Sequence, residues 1–311
     1  MNEGTSVSIS IAFLIYVVIS VIVIVLAVIK AKMTRKVSER TAFVFLGIAT
    51  ALAALPVLFI IVYTIINGGG AMSWGFLTQA PSQAGKAGGI LPVIIGTFCL
   101  MLGTLFFALP IGVMAGIYLT EYARDNWLTR LINMAIVNLA GVPSIVFGLF
   151  GLGVFVLAFH FGLSLLAASL TLACQALAMV ITTSREAILA VPRGYREGSL
   201  AIGATKWQTV RHIVLPQALP GIITGAVLAV SRAAGETAPI LVTGAAFLMP
   251  GLPGSPFDQF MALPYHLYTV AAHVPGMSKT TMWGVALVLL LVVLSFDVLA
   301  AVTRFRSRKR I

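Results

Sequence analysis

The sequence predicts an all-α polytopic membrane protein with seven transmembrane helices, and three observations carry that prediction. Apolar residues make up 59% of the 311 residues and charged residues only 9%, against about 25% charged in soluble domains. Several uncharged apolar runs exceed the roughly 20 residues that cross a bilayer. The basic residues cluster in alternate connections, as a positive-inside topology requires. Such runs must span as helices, because hydrocarbon offers backbone N–H and C=O groups no partners.

The spans are expected near 7–29, 43–66, 90–117, 132–158, 163–183, 218–245 and 281–302. The first reads as an uncleaved anchor rather than a signal peptide. Met1-Asn2-Glu3-Gly4 holds no basic residue, and the basic cluster Lys30, Lys32, Arg35, Lys36, Arg40 follows the apolar run instead. An outside N-terminus then places 17 of the 20 basic residues in the cytoplasmic segments 30–42, 118–131, 184–217 and the tail. Lys86 and Lys279 fall outside, and Arg232 lies within a span. The reverse orientation would invert that asymmetry. The charge distribution also accounts for the net +11 without nucleic acid.

The expected organisation is therefore an N-terminal anchor with its basic loop (1–42), a first core span with an outside segment (43–89), a core (90–303) and a basic cytoplasmic tail (304–311). The outside segments 67–89 and 246–280 are long enough to dock an external partner. Gly112 and Gly116, and the row Gly221, Gly225, Ala229, Ala233, mark close helix packing. Cys99 and Cys174 read as packed small side chains, with neither a disulfide framework nor metal-ligand spacing. His266 and His273 read as surface residues of an outside loop. Asp297, Asn133, Asn138 and Gln175 are expected to hydrogen-bond between helices. No catalytic constellation, cofactor motif or metal site is evident.

Segment 184–217 is the longest cytoplasmic connection and reads as two short helices. Gly203 suits a left-handed helix end. Thr205 and Gln208 make a capping box for the next helix, on which Trp207, Val210, Ile213 and Val214 recur on one face. Pro216 and Pro220 punctuate the approach to the sixth span. That span contains Arg232 and Glu236, four positions apart and so on one helix face. A charge in mid-membrane costs about 2.5–3.5 kcal/mol on insertion scales. One reading is a self-paired couple within the bundle, and the other is a polar lining of a transport path. Guanidinium suits an oxyanion, and a neighbouring carboxylate could moderate its grip and accept a hydrogen bond from a protonated phosphate oxygen.

The residues of the loop carry a resemblance. Glu197, Gly203, Ile213, Leu215 and Pro216 stand at the spacing of the EAA-type loop of ABC importer permeases, with Gly198 and Ser199 where that pattern has two alanines. The resemblance implies a coupling helix that docks on an ATPase subunit. This chain holds no G-x-x-x-x-G-K-[ST] motif; Ala84-Gly85-Lys86-Ala87 is the nearest fragment. Arg232-Ala233-Ala234-Gly235-Glu236-Thr237-Ala238-Pro239, the segment Gly112–Tyr122 and the segment Pro143–Phe150 resemble the corresponding stretches of phosphate-specific, PstA-type permeases over roughly residues 43–303. That likeness implies a type I importer permease core in a bacterial or archaeal cytoplasmic (inner) membrane, with phosphate as cargo. Its implied partners are two PstB-like ATPase subunits, a PstC-like second permease and an external phosphate-binding protein. The first span is extra to the family's six-span pattern. The alternatives are a permease for another oxyanion, such as phosphonate or molybdate, and an ion-coupled secondary transporter. The latter would carry more midplane carboxylates and no coupling loop. A membrane-bound enzyme would need a nucleophile–base or metal constellation.

Overall fold

The computed structural model describes residues 39–308 except residue 250. The expected first span, 7–29, and the end of the tail lie outside the described residues. Five helices are long and apolar enough to cross a membrane, or six if a bent pair counts as one span. The predicted seven is thus not reproduced as a count among the described residues. The chain divides into two compact units, Met1–Ile66 and Asn67–Ile311.

In the first unit, helix α1 (Glu39–Gly68) presents exposed apolar side chains such as Phe43, Leu46, Leu55 and Phe59. These suit lipid. Pro56 stands within the helix.

In the second unit, a short helix α2 (Trp74–Thr78), capped by Ser73, and a two-residue hairpin of β1 (Pro81–Ser82) and β2 (Ala87–Gly88) lead into α3 (Leu91–Ile117). A wide π-helical turn (Tyr118–Tyr122) extends α3. Helix α4 (Trp127–Leu139) and helix α5 (Ser144–Gly151, extended by a π-helical stretch to Ala158) follow. They were expected to form one span over 132–158, but a bend of 106° separates them. Pro143 is the reason: it disfavours helical backbone at Val142 and cannot donate a hydrogen bond itself. Gly141 and Val142 instead close a turn onto Asn138 and Leu139.

Helix α6 (Leu165–Leu189) is the centre of this unit and the most buried of the five long apolar helices among the described residues. Its composition explains the position. Lipid is as apolar as leucine, so helices associate in membranes through close packing of small residues. A methyl group added to Gly112 of α3 would lie 2.6 Å from Val180 Cγ1, and one on Gly116 would lie 2.9 Å from Ser184 Cβ.

The loop predicted to be cytoplasmic follows α6 as α7 (Arg193–Ala201) and α8 (Lys206–Thr209). Both signals read from the sequence hold. Gly203 adopts φ +87°, and the Thr205–Gln208 capping box closes in both directions, at 3.3 and 2.8 Å. Trp207, however, does not share the buried face: Val210 and Val214 are buried while Trp207 is exposed. Helix α8 then runs through a wide turn (Val210–Val214) directly into α9 (Leu215–Ala234). The wider turn suits Pro216, which has no N–H for the ordinary ladder. Lys206 to Ala234 is thus one rod of 29 residues, about 43 Å at the α-helical rise. The row Gly221, Gly225 faces α6: a methyl group on Gly221 would lie 2.7 Å from Ala187 Cβ, and one on Gly225 would strike Thr183.

The expected sixth span, 218–245, is also interrupted. Helix α9 stops at Ala234, and after Gly235–Thr237 only a single turn, α10 (Ala238–Leu241), follows. Gly235 weakens the helix, and Pro239 cannot continue the ladder. The outside segment beyond it forms a folded cap. Leu165 and Leu166 N–H donate to the carbonyls of Asp258 and Pro256, both at 2.8 Å, satisfying donors that begin α6. Phe260–Leu263 is fully buried, and Leu263 N–H donates to Thr97 Oγ1 at 2.9 Å. Helix α11 (Leu263–Ala272) follows, and α12 (Lys279–Arg308) closes the fold. The backbone of the predicted tail therefore stays helical to Arg308.

His266 corrects the surface reading. It is 2% exposed and stacks on Phe247 at 5.3 Å, while His273 is exposed beside Tyr268. Burial pushes the His266 imidazole down to about 4, so it sits in the cap as a neutral ring. Spacing within one loop could not show that the loop folds back over the ring.

Candidate functional site

A cavity of about 360 Å³ lies beside the last turns of α9, lined from α4, α5, α6, α9 and the bend at Ala140 and Val142. Irregular backbone at membrane depth is tolerated where it lines a cavity or is buried in protein. Arg232 stands in the last turn of α9, where a cation complements the helix dipole. Its side chain is 64% exposed, on the cavity. Glu236 is 17% exposed and lies past the helix end, so the pair does not share a helix face as its spacing suggested. Arg232 Nε and Glu236 Oε1 are still 3.8 Å apart, beyond the 2.7–2.9 Å of a strong charged hydrogen bond. The short bond to Glu236 comes instead from Gln175 Nε2 on α6, at 2.7 Å. Thr182, Thr183 and Glu186 continue the polar lining toward the C-terminal end of α6.

Asp297 and Asn133 pair between helices as expected, while Asn138 is exposed. Ser231 donates to Asp297 Oδ1 at 2.7 Å, and Arg185 Nη1 donates to Asn133 Oδ1 at 2.7 Å.

The upstream segment Pro143–Phe150 meets the site through backbone. A methyl group on Gly148 would lie 3.0 Å from Pro239 Cα and 3.2 Å from the Ala238 carbonyl oxygen. Gly148 thus lets α5 rest on the chain just after Glu236.

The loop of α7 and α8 is held by contacts that spacing did not reveal. Arg196 of α7 donates to the carbonyls of Val191 and Ile188 at 2.6 and 2.8 Å, and to Glu121 Oε1 at 3.0 Å from Nε. Its side chain is 18% exposed and that of Glu121 10%. One guanidinium therefore bonds the Ile188 carbonyl in the last turn of α6 and the Val191 carbonyl just beyond it, and ties α7 to the extension of α3. Lys206 Nζ sits 5.1 Å from the Tyr122 ring centre, a cation–π distance. Ser199, where the loop pattern has alanine, is buried and shares a 2.9 Å hydrogen bond with Thr209, joining α7 to α8. Gly198 and Glu197 are exposed, Ile213 and Leu215 are half-buried, and Pro216 is exposed. The loop also exposes Tyr195, Leu200, Trp207 and Ile202, the last at 87%.

An apolar helix that ends beside an arginine-lined cavity and continues at its other end into an exposed helical loop fits the membrane subunit of a transporter. The chain belongs to the family described as binding-protein-dependent transport system inner membrane component, which matches residues 108–309. As such a permease it serves as a membrane channel component of a binding-protein-dependent transport system rather than as an enzyme. It is 31% identical to phosphate transport system permease protein PstA 1 of Mycobacterium tuberculosis, over 89% of this chain and 92% of that one. It is 36% identical to the probable ABC transporter permease protein YqgI of Bacillus subtilis, over 68% of this chain and 72% of that one. The inward-facing MetNI methionine ABC transporter shares the fold, with a TM-score of 0.55 at 21% identity, covering 70% of this chain and 97% of the MetNI chain.

Proposed function

We propose that this permease carries inorganic phosphate across the inner membrane, and that the cavity around Arg232 is its share of the path. The observation that carries the reading is the 64% exposure of the Arg232 side chain on a cavity beside the last turns of α9. A guanidinium stays charged at any working pH and matches phosphate geometry bidentately. Glu236 lies close enough to moderate the grip of Arg232, and it can accept a hydrogen bond from a protonated phosphate oxygen. The similarity to a named phosphate permease supports the same cargo.

The loop from Glu197 through Gly198, Ser199 and Gly203 to Ile213, Leu215 and Pro216 is the coupling element. Its exposed Tyr195, Ile202 and Trp207 form the surface that a PstB-like ATPase covers. Because α8 continues into α9, a displacement of the loop moves the backbone that carries Arg232. A PstC-like permease is the second channel half, and a phosphate-binding protein delivers cargo to the outer cap.

Affinity purification of the tagged chain tests this assembly. It is expected to bring down an ATPase and a second, different permease. The reconstituted complex should hydrolyse ATP faster when phosphate-loaded binding protein is added. A complex of this chain with an ATPase whose hydrolysis and uptake respond to another anion and not to phosphate would overturn the cargo. Recovery without an ATPase would overturn the assembly.

A further inference from the structure

We infer that Gln175 is a positioning residue that keeps Glu236 from neutralising Arg232, and so holds the guanidinium available to a phosphate oxyanion in the cavity. The inference rests on the proposed role of Arg232 in the path and adds a residue that sets its state. Three observations converge on it. Gln175 Nε2 donates to Glu236 Oε1 at 2.7 Å, while Arg232 Nε stands 3.8 Å from that same oxygen. Gln175 and Arg232 line one cavity. Arg232 is 64% exposed there and Glu236 only 17%.

A carboxylate free to approach a guanidinium closes to about 2.7–2.9 Å, often through two parallel bonds. Here the short bond goes to a neutral amide instead. The orientation of that amide follows from its chemistry. Glutamine offers donors on one side and an acceptor on the other. Turning it over would set its oxygen against the carboxylate of Glu236. Gln175 sits on the buried central helix, and Glu236 on the irregular stretch between α9 and Pro239. The bond thus fixes the only acid beside Arg232 to a rigid element, among the described residues that line or flank this end of the cavity.

The test is labelled-phosphate uptake by the full complex in proteoliposomes, with recovery of the ATPase as the check on assembly. Gln175→Leu removes the donor and keeps an apolar side chain in the helix packing. It is expected to lower the maximal rate about tenfold, the scale of one hydrogen bond to a charged group. The double variant Gln175→Leu with Glu236→Gln is expected to match Glu236→Gln alone, because no charge is left to restrain. A purely structural role for Gln175 would lower the double variant below Glu236→Gln by the same factor of about ten, and that result overturns the inference. Wild-type uptake in Gln175→Leu overturns it as well. If Gln175→Leu fails to assemble, Gln175→Met supplies the same comparison. Arg232→Ala separates the two levels. Normal uptake in that variant removes the path role and the inference together. Lost uptake in Arg232→Ala beside normal uptake in Gln175→Leu removes the inference alone.

Discussion

Replacing Arg232 with alanine is expected to lower phosphate uptake by about 10- to 100-fold while the complex still assembles. The magnitude follows from the bond lost. A hydrogen bond to a charged group contributes about 1.5–3 kcal/mol, and each 1.36 kcal/mol is a factor of ten in rate. Assembly should survive for a local reason. Glu236 takes its short hydrogen bond from Gln175 rather than from Arg232, so the acid is not orphaned. The guanidinium is exposed on the cavity, so its loss leaves no hole in the packing. Arg232→Lys should fall between wild type and alanine, since it keeps the charge and loses the planar fork. Uptake by reconstituted complex, normalised to recovered ATPase, measures both variants. A self-paired structural couple would give the opposite pattern, with damaged assembly and little change in the rate of whatever complex remains.

The second large effect is expected at Arg196. Its guanidinium ties Glu121, Ile188 and Val191 together with bonds of 2.6 to 3.0 Å. Removing one partner of a fully buried ion pair costs about 3–5 kcal/mol, and this pair, 18% and 10% exposed, should fall below that range. Arg196→Ala would also take the guanidinium bond from the Val191 carbonyl, while the Ile188 carbonyl keeps the Val191 N–H. Its consequence should fall on the loop, where α7 would come away from the ends of α3 and α6. The expected result is loss of bound ATPase on purification and a lower unfolding temperature. Glu121→Gln should be milder, because Arg196 would keep both carbonyls and a neutral acceptor. Equal ATPase recovery from wild type and Arg196→Ala would contradict this role.

Much of the architecture was legible because it is local. Apolar length, the basic clusters and the glycine rows predicted the core spans and their close faces. The Thr205–Gln208 box and Gly203 marked the loop helices, and the structure reproduces both. What escaped was tertiary or backbone-driven. The charge spacing of Arg232 and Glu236 suggested a continuous helix, and Gly235 with Pro239 overruled it. Pro143 did the same to the expected span over 132–158. Arg196 and Glu121 are 75 positions apart, and Gln175 and Glu236 are 61 apart. No periodicity within either segment announces such a pair. His266 was misplaced because burial by a folded outer cap depends on chain return, not on local polarity. Trp207 was misplaced in the opposite sense: its helical spacing fits the buried face, but it lies at the start of the rod, where the loop is exposed.

The central claim is that the cavity beside Arg232 holds phosphate during transport, and labelling at Thr182 tests it most directly. Thr182 lines the same cavity and is exposed there. Thr182→Cys would be introduced after Cys99 and Cys174, both half-buried and free, have been replaced by serine. In the assembled complex, reaction of the new thiol with a water-soluble reagent should proceed readily and be slowed several-fold by phosphate. Adding Arg232→Ala should abolish that protection without stopping the reaction. A labelling rate that ignores phosphate, or protection that persists without Arg232, would contradict the account.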